Sequence, residues 1–163
     1  MRIFVEWGRP LKLTRLKADS LVYTADLNKL PRKPGVYIFG RRFGRRFEAL
    51  YVGRALRIRD RVMAQLNQVR LMQHLNDAKV GDRVVLAGLL RPLSGQRLPK
   101  ALELTERALI RHFVSEAHDL VNKAGVRIWK HRIFSSRSGR LKRAIPAVAF
   151  LEKAKRLSNR EDR

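Results

Sequence analysis

Glu106 is the residue whose placement most needs a chemical explanation. Past Pro99 the apolar residues Leu102, Leu109 and Phe113 recur at helical spacing, and Glu106 falls within the same stripe. A carboxylate buried there alone costs several kcal/mol, so it needs a cation, a metal ion or a route to water. An ion pair with one of the chain's 37 basic side chains is the plainest answer, and Glu103, one turn earlier, is the nearest rival carboxylate. A second polar set, Arg54, Arg57, Arg61, Gln65 and Gln68, runs beside the apolar residues Ala55, Ile58, Val62, Leu66 and Val69. Those apolar positions recur at three and four, one face of a helix. Packed by that face on the strands before it, such a helix holds Arg61 near the strand edge, where Tyr37 and Tyr51 also point.

The elements that must position these groups follow in order. Gly35 to Phe39 and Ala49 to Gly53 are rich in β-branched and aromatic residues and read as the two strands of a hairpin. Between them lie Gly40, Gly44 and four arginines, Arg41, Arg42, Arg45 and Arg46, a composition suited to an exposed connection. Leu71 to Ala78 reads as a second short helix or a continuation of the first, and residues 79–82 as a turn. Arg83 to Leu90 is an almost unbroken apolar run, the mark of a buried central strand. A long helix then runs from about Leu98 to Ala117. Ahead of the hairpin, Arg2 to Trp7 and Leu21 to Thr24 are plausible strands, in which Trp7 and Tyr23 fill a core or stack on bases. Pro31 and Pro34 punctuate the approach to the hairpin. Beyond Asn122, Val126 to Phe134 reads as a strand and Ile145 to Leu157 as a helix.

The pattern resembles the GIY-YIG nuclease superfamily. Its two tripeptides stand here as Gly35-Val36-Tyr37 and Tyr51-Val52-Gly53, followed by Arg61 eight residues after Gly53, Glu106 before Leu109-Ile110, and Asn122. The resemblance covers about residues 34–122, leaving 1–33 as an N-terminal extension and 123–163 as a basic C-terminal extension of one domain. It implies an α/β fold with a small central, mainly antiparallel sheet of about three core strands flanked by helices. It also implies a metal-dependent endonuclease hydrolysing phosphodiester bonds, DNA favoured, with Tyr37, Tyr51, Arg61 and Glu106 as its catalytic residues. Glu106 would bind one divalent cation, Mg²⁺ or Mn²⁺, and one carboxylate suffices because Mg²⁺ keeps several waters and takes substrate oxygens as ligands. Arg61 would hold the phosphate. One tyrosine would be the general base, its pKa lowered by Arg54, Arg61 and a metal-bound water, and the other would orient water or phosphate. Arg54, His74 and Asn122 would support them. Two departures stand out: Gln65 occupies a position where many members carry tyrosine or histidine, and no proline precedes Asn122.

The composition narrows the partners. A net charge of +23 over 163 residues calls for a polyanion: nucleic acid, an anionic membrane or an acidic protein. Membrane is the weaker choice, because the longest apolar run, Val84 to Leu90, has seven residues. Arg41, Arg42, Arg45, Arg46 and Arg57 are candidate phosphate contacts, joined by Lys130 and Arg132 of the C-terminal segment. From Val126 onward 12 basic residues face 3 acidic ones, a solvated tail or a phosphate clamp anchored by Trp129, Phe134 and Phe150. The histidines His74, His112, His118 and His131 lack metal-ligand spacing, so no zinc site is expected. Zero cysteines and an N-terminus without a signal-peptide pattern point to a cytoplasmic protein. The rival to a nuclease is a non-catalytic nucleic-acid-binding protein, for which the charge is equally natural. Nothing in the sequence sets an oligomeric state.

Overall fold

A computed structural model of the chain describes residues 2–18, 20–78, 80–122, 131–136 and 148–151. The strands are β1 (Arg2–Trp7), β2 (Leu11–Lys12), β3 (Thr14–Arg15), β4 (Tyr23–Thr24), β5 (Gly35–Phe43), β6 (Arg46–Ala55), β7 (Asp82–Arg91), β8 (His131–Ser136) and β9 (Val148–Leu151). The helices are α1 (Ile58–Gln65), α2 (Val69–Asp77) and α3 (Leu98–Ser115). The main sheet runs β6-β5-β7-β1-β8-β9, with β2 pairing onto β7, and β3-β4 form a separate ribbon. Every pairing is antiparallel except β1 with β8. The protein is therefore a mixed α/β fold in which three helices pack on a mainly antiparallel sheet.

Strand alternation divides the core into two layers. On one face Ile3, Val5, Trp7, Val36, Ile38, Val52 and Leu86 pack beneath Leu102, Leu109 and Phe113 of α3. On the other face Tyr37, Phe39, Val85 and Ala87 pack beneath Ile58 and Val62 of α1 and Leu71 and Leu75 of α2. Trp7 and Tyr23 are both buried, as core residues.

The three expected core strands are β5, β6 and β7, at one end of a larger sheet. The segment read as an N-terminal extension is part of that sheet: β1 lies between β7 and β8. Its pairing with β7, register Val5↔Leu90, joins residues about half the chain apart and leaves no local signal. Residues 28–33 also seat α1. The backbone N–H groups of Ile58 and Arg59 donate to the carbonyls of Lys33 (3.2 Å) and Pro31 (3.0 Å), and Arg59 Nε donates to Leu30 O (2.8 Å). These bonds satisfy donors that a helix start leaves open.

Three other expectations change. The helix after Gly53 begins only at Ile58, because Ala55 ends β6, and it stops at Gln65; Val69, expected on its apolar face, opens α2 and is 73% exposed. Gln65, expected in the polar stripe, is buried. Val148–Leu151 is a strand antiparallel to β8, where a helix was expected over Ile145 to Leu157. Its Val-Ala-Phe-Leu run suits either state, and the unpaired edge of β8 decides for the strand. Among the described residues no helix is long and apolar enough to cross a membrane.

Candidate active site

The two motif glycines are packing positions. Tyr37 pairs across the hairpin with Gly53. A Cβ on Gly53 would lie 2.4 Å from both Cζ and Oη of Tyr37, so the glycine makes room for the phenol. A Cβ on Gly35 would lie 2.1 Å from the carbonyl oxygen of Gly88 and 2.7 Å from Cδ1 of Ile58. Gly35 thus lets β7 and the first turn of α1 close onto the hairpin, which fixes where Arg61 emerges one turn later.

Tyr37, Tyr51 and Arg61 come together on the α1 face. The rings of Tyr37 and Tyr51 stack at 6.1 Å between centroids, and Phe39 meets Tyr37 edge-on at 5.9 Å. A register shift between Phe39 and Gly40 puts Tyr51 opposite Phe39. The Arg61 guanidinium and the Tyr51 hydroxyl are both near enough to act on the Tyr37 hydroxyl electrostatically. Burial nevertheless drives the Tyr37 pKa well above the ordinary phenol value; Tyr51 pushes the same way, and Arg61 opposes without prevailing. Arg61 thus acts in the expected direction but burial outweighs it, and Tyr37 keeps its proton at neutral pH. Tyr51 is partly exposed, and its hydroxyl accepts a hydrogen bond from Gln65 Nε2 (3.3 Å). The departure at Gln65 is thus a buried amide holding a motif tyrosine.

Glu106 belongs to the opposite face. Alternation sends Tyr51 and Gly53 one way and Val52 and Arg54 the other. Arg54 Nε lies 3.2 Å from Glu106 Oε2 on α3. Burial raises the Glu106 pKa, outweighing Arg54 and Arg107. Its rival Glu103 goes the other way: Lys100 (3.1 Å) and Arg107 (2.8 Å) hold it, and the Lys100 hydrogen bond brings its pKa down. Of the two carboxylates, Glu106 carries the perturbation typical of a working group. The four expected catalytic residues thus form two sets, Tyr37-Tyr51-Arg61 and Glu106-Arg54, on the two faces of β6.

Glu106 suits a hard divalent cation as a single carboxylate ligand, the remaining positions falling to water and substrate oxygens. Arg54 must then release the oxygen it holds. Among the described residues no three His, Asp or Glu side chains gather to hold a metal.

The supporting residues His74 and Asn122 fasten one segment to the outer edge of β6. Asn122 accepts from Val52 N (3.2 Å) and donates to Val52 O (2.6 Å), as a neighbouring strand would. Val121 N donates to Leu50 O (2.8 Å) and Ala49 N to His118 Nδ1 (2.8 Å). His74 Nε2 lies 2.6 Å from Asp119 O. The segment covers an edge that would otherwise stay open. His118 carried no sequence signal, because it reaches β6 only through the left-handed turn at Ala117 (φ 59°).

The hairpin arginines divide. The strands continue to Phe43 and Arg46, so Arg41 and Arg42 sit in β5 and not in the turn. Arg41 pairs across the hairpin with Glu48, and Arg42 pairs across to Asp82 on β7 (3.4 Å). Both are committed within the fold, as cross-strand ion pairs, rather than to a phosphate. Arg45, Arg46 and Arg57 are exposed. Trp129 and Lys130, and the side chains of Arg132, Phe134 and Phe150 of the expected clamp, lie outside the described residues. No protein-family model, curated protein or solved structure matches the chain.

Proposed function

We propose that the chain is a divalent-metal-dependent endonuclease of the GIY-YIG kind, hydrolysing phosphodiester bonds of nucleic acid, DNA before RNA. The observation that carries this reading is the meeting of Arg61 with the stacked Tyr37 and Tyr51. A core needs no such grouping, and a phosphate site does: a charged fork, a fixed hydroxyl and a second hydroxyl open to solvent. We put the phosphate around the end of β6 past Gly53, where the strand is outermost and groups on both of its faces can act on one substrate.

In this reading Arg61 binds the phosphate and neutralises charge that develops on it. Tyr37 stays protonated and holds Arg61 and Tyr51 in place. Tyr51, accepting from Gln65, has its own proton free to turn toward the substrate, which makes it the better candidate for moving a proton. Glu106 would hold Mg²⁺ or Mn²⁺, which when bound supplies a second positive charge beside the phosphate and activates water. Arg54 moves from Glu106 to the phosphate as substrate enters. The exposed Arg45, Arg46 and Arg57 serve affinity.

A non-catalytic nucleic-acid-binding protein is the second reading, favoured by the Arg54–Glu106 pair, which satisfies Glu106 without a metal. One experiment decides between them: labelled single-stranded, duplex and branched DNA and RNA, each with Mg²⁺, Mn²⁺ or EDTA, against wild type and Glu106→Ala. Cleavage with metal that disappears in EDTA and in the variant, while binding persists, supports the nuclease. Binding without cleavage of any substrate, or undiminished cutting by Glu106→Ala, rejects it.

A further inference from the structure

The end of β6, the turn into α1 and the first turns of α3 enclose a cleft of about 670 Å³. Its polar lining is Arg54, Arg97 and Lys100 against one carboxylate, Glu103, and Glu103 is already paired with Lys100 and Arg107. The cleft therefore presents an excess of positive charge, which complements an anion. Its apolar lining includes Leu56, Pro99 and Leu102. Leu102 is buried, but Leu56 is 61% exposed, between the exposed Arg54 and Arg57. A leucine left in water among cations is a surface ready for a ligand that is both anionic and flat. Through Arg54 the cleft also adjoins Glu106.

We propose that this cleft takes one unpaired nucleotide of a DNA strand, its base against Leu56 and Pro99 and its phosphate on Arg97 and Lys100. The volume falls in the range of small-ligand pockets, about 300–1,000 Å³, suited to one nucleotide and too small for a duplex. Base faces are covered by neighbours in a duplex, so an apolar wall meets one only where the strand is open. The substrate is accordingly single-stranded, or frayed, beside the bond that is cut. The proposal rests on nucleic acid being the partner, as argued above, and not on hydrolysis.

The test is anisotropy of a labelled oligothymidylate and of a labelled duplex of equal length, titrated with the full chain in EDTA so that nothing is cut. Leu56→Ser should weaken oligothymidylate binding about tenfold, and Leu56→Trp should strengthen it by stacking, both with duplex affinity unchanged. Arg97→Ala and Lys100→Ala should each lower the salt slope for the single strand by about 0.7. Unchanged duplex affinity and melting temperature exclude misfolding as the cause. Single-strand affinity indifferent to both Leu56 variants, or moving in parallel with duplex affinity, overturns the proposal. Wild type that binds duplex but not oligothymidylate overturns it too while leaving the nuclease reading intact. Oligothymidylate bound through Leu56, with no cleavage in Mg²⁺, overturns hydrolysis and sustains the cleft.

Discussion

Gly53→Ala puts the packing account of the motif to a direct test. The new Cβ would lie 2.4 Å from Cζ and Oη of Tyr37 and 2.9 Å from Cε1, against an ordinary contact of 3.4–4 Å, so the phenol or the strand must move by about 1 Å. Tyr37 is fully buried, with Tyr51 stacked at 6.1 Å and Phe39 against its edge at 5.9 Å, and cannot swing aside cheaply. Overpacking of this kind costs about 1–3 kcal/mol. Gly53 is not among the glycines with positive φ, so alanine meets no backbone strain and recovers about 0.4–1 kcal/mol from the unfolded chain. The net loss should be about 1–2 kcal/mol, a fall in Tm of about 2–8 °C at this chain length. Urea and thermal unfolding of a double-mutant cycle with Tyr37→Ala isolates the contact: with the ring gone, Gly53→Ala should be neutral or slightly stabilising, a coupling of about 1–3 kcal/mol. In a Tyr37→Phe background the cost should persist, because the Cζ contact remains. An equal penalty with and without the ring would refute the argument that Gly53 exists to admit Tyr37.

Asn122→Ala removes both bonds to Val52 and should cost about 1–3 kcal/mol; unchanged hydrogen exchange at the Val52 amide would show that the edge is held otherwise. Burial lowers the pKa of His118, whose Nδ1 must stay unprotonated to accept from Ala49 N, so the folded state binds fewer protons than the unfolded one. Its stabilisation is then complete above about pH 6.5 and lost as pH falls below that value, and His118→Gln should flatten thermal melts between pH 5 and 7, with a residual slope of the same sign from His112, which burial also depresses. Ala117→Gly relieves the left-handed backbone at the end of α3 and should stabilise by about 1 kcal/mol in denaturant titrations, whereas a loss would mean that the turn is held by the alanine methyl. If the nuclease reading holds, single-turnover cleavage should fall about a hundredfold or more in Tyr51→Phe and Arg61→Ala, less in Tyr37→Phe, with Arg61→Lys rescuing in part; wild-type rates in all of them would reject the assigned roles.

What the sequence determined by itself is local. The hairpin, the buried strand β7 and the long helix α3 follow from side-chain chemistry repeating at period two or 3.6, and each was legible because neighbours along the chain carry the signal. The same holds for Arg61 beside the tyrosines: it sits at a fixed offset on the helix that follows the hairpin, and little separates them in sequence. Tertiary structure decided the rest. β1 joins the sheet through partners at residues 88–91 and 132–136, pairings that no local pattern encodes. Arg41 and Arg42 look like turn residues until Glu48 and Asp82 arrive opposite them and extend the strands. The alternation that points Tyr51 and Arg54 apart is written in the sequence, but the face that α3 covers is not. That choice, made by the packing of Leu102, Leu109 and Phe113 on Val36, Ile38 and Val52, put Glu106 beside Arg54 and across the strand from Tyr37. Helical periodicity tells that a face is buried, and only the competition among all apolar surfaces for partners tells against what.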